Sequence, residues 1–285
     1  MSADTPGRFR RVLLGDPGAF AVEDEHNPHM RAADGSLHAV DPVAARAQWQ
    51  ALADAYRAVG VEVHVLAAEP GLADLCFTAN PSLVLPDADG TGIEVWLAHM
   101  AHAARAPEVA LHAEFFRTLG ATLRELPADA APFEGAGDGL LHPGRKLLHC
   151  GIGRRTSAAA WDALAAARPD LELRRYRLAD RRWYHLDTAL VPLDEECALY
   201  VPSAFDTLGR KQLATAFREL IAIEDAEAGR FAGNAHCPDG KHVLLQDGCP
   251  LTERALRARG YEPVPLETGE FRKSGGSVFC LKQMF

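Results

Sequence analysis

Five short apolar stretches recur along the chain, and each is followed by a helical pattern and then by another short apolar run. The stretches are RVLLG (11–15), LCFTANPSLVL (75–85), GDGLLHPGRKLLHCGIG (137–153), YHLDTALVPLDEECALYVP (184–202) and FAGNAHCPDGKHVLLQ (231–246). The last four read as hairpins, two runs around a turn such as HPGR, PLDEE or CPDGK. Behind them come VAARAQWQALADAYRAVG (43–60), PEVALHAEFFRTLG (107–120), TSAAAWDALAAARP (156–169), DTLGRKQLATAFREL (206–220) and LTERALRARG (251–260). Apolar residues there recur at intervals of three and four, which gathers them on one helix face. Several of these segments end in Gly or just before Pro, where helices stop. The short strands that follow are VEVHVL (61–66), ATLREL (121–126), LELRRY (171–176), LIAIED (220–225) and YEPVPL (261–266).

The unit of hairpin, helix and strand is thus used five times, at roughly 50–60 residues per unit. No single unit buries its apolar face alone, so the five must pack together. The pattern predicts an α/β chain, a single catalytic domain over residues 1–285, with five-fold pseudo-symmetry, strands inside and helices outside. An ordinary doubly wound α/β sheet is the plainer alternative, since β-α-β alternation alone would give it. No G-x-G-x-x-G follows the first strand, so a dinucleotide fold has no support.

Composition narrows the partners. Hydrophobic residues make up 48% of 285, enough for a full core. The net charge is −9, with acidic and basic residues mixed along the chain. That argues against nucleic acid, which demands a basic face, and leans toward a small cationic substrate. No apolar run is long enough to span a bilayer, so no membrane partner is expected. MSADTPGRFRR lacks the apolar core of a signal peptide, and residues 1–8 read as a loose tail. Cys76, Cys150, Cys197, Cys237, Cys249 and Cys280 form no C-x-x-C pair and read as reduced thiols, which points to the cytoplasm.

In a radial array the strand-end loops converge on one face. The polar residues brought together would be Asn27, Asp74, Asn80, Glu134, Asp138, His185, Asp187 and Cys280. A thiol, an imidazole and several carboxyl or amide groups make a nucleophile, a proton shuttle and a cation cradle. Each has a plainer use. An isolated Cys in an apolar strand is usually a small buried hydrophobe, the reading given to Cys76, Cys150, Cys197 and Cys249. Cys280 differs in following two glycines, which let a ligand approach the backbone closely. His185 could be a satisfied core histidine, but its i, i+2 spacing from Asp187 on a strand would put both on one face. Glu134 could be a solvated loop acid, and Asp138 could serve a tight turn in GAGDG. Metal is disfavoured: HAEFF is not H-E-x-x-H, and HCPDGKH has no second ligand pair at zinc spacing. No G-x-S-x-G is present. No cofactor is called for.

These residues, in this order, resemble the guanidine-modifying enzyme superfamily of arginine deiminases, dimethylarginine dimethylaminohydrolases, amidinotransferases and arginine dihydrolases. The likeness runs from VLLGDPGAFAVEDEHNPHM through FTAN, R-x-x-E (Arg105 to Glu108), FEGAGD, R-T-S from Arg155, HLDT and LYVPSAFD to EFRKSGGSVFC. It implies the pentein fold, a five-bladed α/β propeller. It implies Cys280 as nucleophile, His185 as general acid and base, and Glu134 as a guanidinium-binding carboxylate, with Asp187 the acid of an H-x-D pair. Arg105 and Arg155 look like the residues that hold a substrate α-carboxylate, for which a guanidinium fork is suited.

Deiminases and dimethylarginine hydrolases carry an acid where this chain has Asn80. FTAN and HNPHM instead resemble the arginine dihydrolases, so Asn27 and Asn80 pick that subfamily. The resemblance thus implies a hydrolase of the guanidino group of arginine or an analogue, acting through a thiouronium on Cys280. Glu134 and Asp187 would pair with the substrate N–H donors. An amide at position 80 can donate to a ureido oxygen, which would allow a second round from citrulline to ornithine. Dimethylarginine hydrolysis, deimination, amidinotransfer and a non-catalytic binding ring are the alternatives. The helix faces leave room for a homo-oligomer.

Overall fold

The computed structural model describes residues 9–180 and 182–285, and the tail expected at residues 1–8 lies outside them. The fold is mixed α/β. Its strands are β1 Arg11–Gly15, β2 Glu62–Leu66, β3 Ser82–Pro86, β4 Ile93–Leu97, β5 Thr122–Glu125, β6 Gly139–Leu141 and β7 Leu147–Ile152. They continue as β8 Glu172–Arg177, β9 Leu190–Pro192, β10 Cys197–Tyr200, β11 Glu219–Ala222, β12 His242–Gln246, β13 Glu262–Leu266 and β14 Gln283–Met284. The strands fall into five separate small sheets, β14-β1-β2, β3-β4-β5, β6-β7-β8, β9-β10-β11 and β12-β13, instead of one continuous doubly wound sheet.

One rule governs all five. The strand before the long helix and the strand after it run parallel, as in Val12 beside Val63, Val95 beside Leu123 and His149 beside Arg174. Leu199 beside Ile221 and Leu244 beside Val264 repeat it. Parallel neighbours need a crossover, and helices Pro42–Ala58, Ala106–Thr118, Ala158–Ala167, Thr207–Ala216 and Pro250–Arg257 supply it. Three of these start on side-chain caps, Asp41 on Val43 and Ala44, Ser157 on Ala160 and Asp206 on Gly209. Their inner faces bury Trp49, Leu52, Tyr56, Trp161 and Leu164 against the sheets. Among the described residues no helix is long and apolar enough to cross a membrane.

Three elements differ from the sequence reading. Residues 75–80 form turns, and the antiparallel partner of β3 is β4, IEVWL, beyond the PDADGTG turn. The apolar run there is buried because it tucks under the sheet, with Thr78 Oγ1 donating to Leu13 O at 2.9 Å. In the fifth unit the first arm is reduced to one bridge, His236 to Leu244. In the first unit the antiparallel partner comes from the far end of the chain, with Val12 opposite Met284.

The antiparallel strands position the chemistry. Asn80, His185 and Cys280 lie in turns ahead of β3, β9 and β14, Glu134 just before the short helix Gly135–Asp138 that leads into β6, and Asn234 two residues before the His236 bridge. These turns are stitched into a closed circuit. Ala79 N donates to Cys280 O at 3.2 Å and Ala136 N to Ala79 O at 2.8 Å. Leu186 N donates to Asp138 Oδ1 at 3.0 Å, and Asn234 Nδ2 to Asp187 O at 3.0 Å. Phe279 N then donates to Asn234 O at 3.0 Å, which returns the circuit to the cysteine turn.

Candidate active site

Cys280 sits in a buried turn, 2% exposed. Its thiol donates to Asp187 Oδ2 at 3.2 Å and accepts from Asn234 Nδ2 at 3.2 Å. Burial and the neighbouring Asp187 charge hold the thiol well above its usual pKa, so in this state it is protonated. The glycines ahead of it serve the protein's own packing rather than ligand approach. Gly275 has φ +86, and a Cβ there would stand 2.6 Å from Asn27 Oδ1. A Cβ on Gly276 would collide with the Phe77 ring.

The second cluster is centred on Glu134, which is fully buried. Its Oε2 accepts from His185 Nε2 at 2.7 Å and from Arg155 Nη1 at 2.9 Å. Its Oε1 accepts from Ala101 N at 3.0 Å. Burial alone would raise this carboxyl, but the His185 hydrogen bond and the Arg155 charge outweigh it, so Glu134 is ionised with its pKa well below the usual range. A carboxylate only accepts, so Nε2 of His185 carries the proton. Nδ1 of His185 is buried without a protein partner.

The third cluster fixes an amide. Arg105 puts Nε and Nη2 on Glu108 at 2.9 and 2.7 Å, and Nη1 on Asn80 Oδ1 at 2.9 Å. Arginine only donates, so Asn80 must turn its oxygen to Arg105. Its Nδ2 is left buried with no partner. Gly137 makes this possible, since a Cβ there would lie 2.5 Å from Asn80 Nδ2 and 3.2 Å from the His185 ring.

A strap of chain after β1 closes the site. Asn27 Nδ2 donates to Ser274 O at 2.9 Å, while its Oδ1 accepts from His29 N at 3.0 Å. His26 Nε2 lies 3.2 Å from Asp74 Oδ2, and Ser274 Oγ donates to Asp74 Oδ1 at 3.1 Å. Burial acts to raise the Asp74 carboxyl, but the His26 hydrogen bond and the Arg105 charge leave it lowered. Arg155 Nη2 donates to His26 O at 2.9 Å, and its guanidinium lies 5.3 Å from the Tyr184 ring centroid.

Cys280, His185, Asn80, Asn27, Arg105 and Arg155 all line one cavity of about 10 Å³. That is about the volume of one water probe. His26, Asn27, Arg155 and Tyr184 separate it from an outer vestibule of about 580 Å³.

Several expected placements change. Glu134 and Asp187 are not on the cavity wall. His185 caps a 3-10 helix, Leu186–Thr188, so the alternation of a strand does not apply, and Asp187 turns behind the thiol. Asp74 lines the adjoining acidic cleft with Glu25 and Glu108. The forks of Arg105 and Arg155 are spent on Glu108 and Glu134 in this closed state. Asp138, expected to serve a turn, takes Leu186 N and is raised to about 6 by burial.

Asn234 was not singled out from the sequence. Its Oδ1 accepts from Ser277 N at 3.0 Å and Cys280 N at 3.3 Å, and its Nδ2 holds Asp187 O and the thiol. The signal was available, for FAGN (231–234) repeats the spacing of FTAN (77–80), each ending in an asparagine at a turn. Asn234→Ala strands buried donors and an acceptor, so we expect a loss of about 2–4 kcal/mol of stability in urea unfolding. A loss within experimental error would mean that the turn holds Cys280 without it.

A family model described as N,N dimethylarginine dimethylhydrolase, eukaryotic, matches residues 16–283. The N(G),N(G)-dimethylarginine dimethylaminohydrolase of Mycobacterium tuberculosis is 35% identical over 276 residues, covering 96% of this chain and 85% of that protein. The bifunctional arginine dihydrolase/ornithine cyclodeaminase AgrE of Nostoc is 34% identical over 273 residues, covering 95% of this chain. This chain spans only 37% of the length of that relative. Among solved structures, the substrate-bound N-terminal domain of ArgZ, a cyanobacterial arginine dihydrolase, superposes with a TM-score of 0.88 at 30% identity, covering 99% of this chain and 98% of that one. A dimethylarginine dimethylaminohydrolase adduct with S-methyl-L-thiocitrulline shares the fold at TM-score 0.81 and 21% identity, covering 97% and 100%.

Proposed function

We propose that this chain, which belongs to the N,N-dimethylarginine dimethylhydrolase family, is a cysteine hydrolase of guanidino C–N bonds that acts as an arginine dihydrolase. We read its five sheets as five blades of one catalytic domain, a pentein propeller with the stitched turns at its centre. The chain works in the cytoplasm, in keeping with six free cysteines.

In this reading Cys280 attacks the guanidinium carbon once the strap has opened. The incoming cation favours the thiolate that burial opposes. His185, oriented by Glu134, protonates the departing nitrogen, and ammonia leaves an S-alkylthiouronium on the sulfur. The imidazole then takes a proton from water, which adds to the same carbon. The thiol departs and citrulline is formed. Arg105 and Arg155 remain the cations nearest the tail, and Arg155 would exchange Glu134 for a substrate carboxylate.

The observation that carries the dihydrolase reading is the orphaned Nδ2 of Asn80 beside the nucleophile. A guanidinium offers only donors, so it leaves that N–H unanswered. A ureido oxygen answers it, which supports binding of citrulline and a second attack to give ornithine, carbon dioxide and a second ammonia. The decisive measurement is mass spectrometry of products from arginine, citrulline and dimethylarginine. We expect ornithine from both arginine and citrulline. Citrulline accumulating without ornithine would make the protein a deiminase, and release of dimethylamine would make it a dimethylarginine hydrolase.

A further inference from the structure

Ser277 stands three residues before Cys280 and lines no part of the nucleophile's cavity. With Thr268 and Gln246, both fully buried as it is, it forms one chain of hydrogen bonds from the β12-β13 sheet to the nucleophile turn. Gln246 Nε2 donates to Asp247 O at 3.1 Å, and its Oε1 accepts from Thr268 N at 3.1 Å. Those two backbone contacts fix which way the amide faces. The Thr268 hydroxyl also donates to that oxygen. Its one proton is thereby spent, so the Ser277 hydroxyl, 2.7 Å away, is the donor between the two. The backbone of Ser277 carries the hold onward. Its N–H donates to Asn234 Oδ1 at 3.0 Å, and its O accepts from Leu281 N at 3.2 Å. Asn234 Oδ1 also takes Cys280 N at 3.3 Å. With two donors on its oxygen, the Asn234 amide must turn Nδ2 toward Asp187 O and the sulfur.

We propose that Ser277 is a positioning residue for the nucleophile, its tethered hydroxyl fixing the backbone N–H that aims the Asn234 amide at the sulfur of Cys280. This rests on the reading of Cys280 as nucleophile. An amide N–H aimed at sulfur favours the thiolate over the thiol, and a donor already in place costs no reorganisation when the thiolate forms. Burial and Asp187 raise the Cys280 thiol, and the influences that lower it come from the Ser277 backbone and the Asn234 amide. Asn27 holds Ser274 O from the strap. Neither Thr268 nor Gln246 belongs to the strap, so the hold on Ser277 is kept when the strap opens.

The test compares arginine turnover with the pH profile of Cys280 alkylation by iodoacetamide in the full chain, followed by peptide mass spectrometry. Ser277→Ala removes the tether and leaves only an acceptor unanswered, on Thr268. We expect kcat to fall by about tenfold or more with KM within about twofold of wild type. Alkylation near neutral pH falls by about tenfold and its profile moves to higher pH, since one pKa unit is tenfold in thiolate. Thr268→Ser keeps the hydroxyl and should match the wild type. Thr268→Val keeps the shape, removes the hydroxyl and should match Ser277→Ala. The two losses share one tether, so the double variant falls no further than either alone. Wild-type kcat and alkylation in Ser277→Ala overturn the proposal, as does a Thr268→Ser loss equal to that of Thr268→Val. Should Ser277→Ala not fold, the Thr268 pair decides alone. Hydrolysis of no guanidino compound would sink the proposed function and leave the alkylation profiles to decide this one. A wild-type Cys280 inert in both assays sinks the nucleophile reading and this inference with it.

Discussion

Cys280→Ser will keep the fold and lose arginine turnover by about 10⁴-fold or more, with no covalent adduct on the intact mass. The substitution changes one atom in a turn held by Asn234, Asp187 and Ala79, so packing has little reason to alter. The chemistry has. Burial holds the thiol's pKa up, but an arriving cation helps it reach the thiolate, while a serine hydroxyl needs a strong base at its side. The nearest acceptor is Asp187 Oδ2, 3.2 Å from the sulfur, and burial has already weakened that carboxylate's hold on its charge. Rates by ammonia release and intact mass spectrometry with arginine check this. Turnover within tenfold of wild type would place the nucleophile elsewhere.

The second large effect is a change of product. Asn80→Asp will leave the first hydrolysis within about tenfold of wild type and slow citrulline turnover by about 100-fold or more, so that citrulline accumulates. The substitution keeps the oxygen that Arg105 holds at 2.9 Å and replaces the orphaned donor by an acceptor. Toward a guanidinium this is a gain, because donors meet a carboxylate. Toward a ureido group it turns a hydrogen bond into a repulsion between oxygens in a buried site. The ratio of citrulline to ornithine over time reads the outcome. An unchanged ratio would remove Asn80 from the choice between one round and two.

The repeat was legible because each helix must bury a stripe and each strand pair must cross over, and both leave marks at fixed periods. The helix at 43–60 was found within two residues of its ends, Pro42 and Ala58. What failed was direction. LCFTAN is apolar enough for a strand, yet it turns, and β4 supplies the missing arm. H-x-D promised two side chains on one face, but a 3-10 turn sent them to opposite sides of the thiol region. The site residues Cys280, His185 and Asn80 do share one cavity.

The pairing of β1 with β14 bears on how the protein is made. Arg11 and Phe285 exchange both backbone hydrogen bonds, at 3.2 and 2.9 Å, across almost the whole sequence. Such a contact closes a very long loop, at a high entropy cost, and is expected to form late. During synthesis Asn80 and His185 emerge before Cys280, whose turn is fixed only when β14 docks on β1. A nascent chain therefore carries no assembled thiol centre, and the reactive sulfur comes into being together with the walls that shelter it.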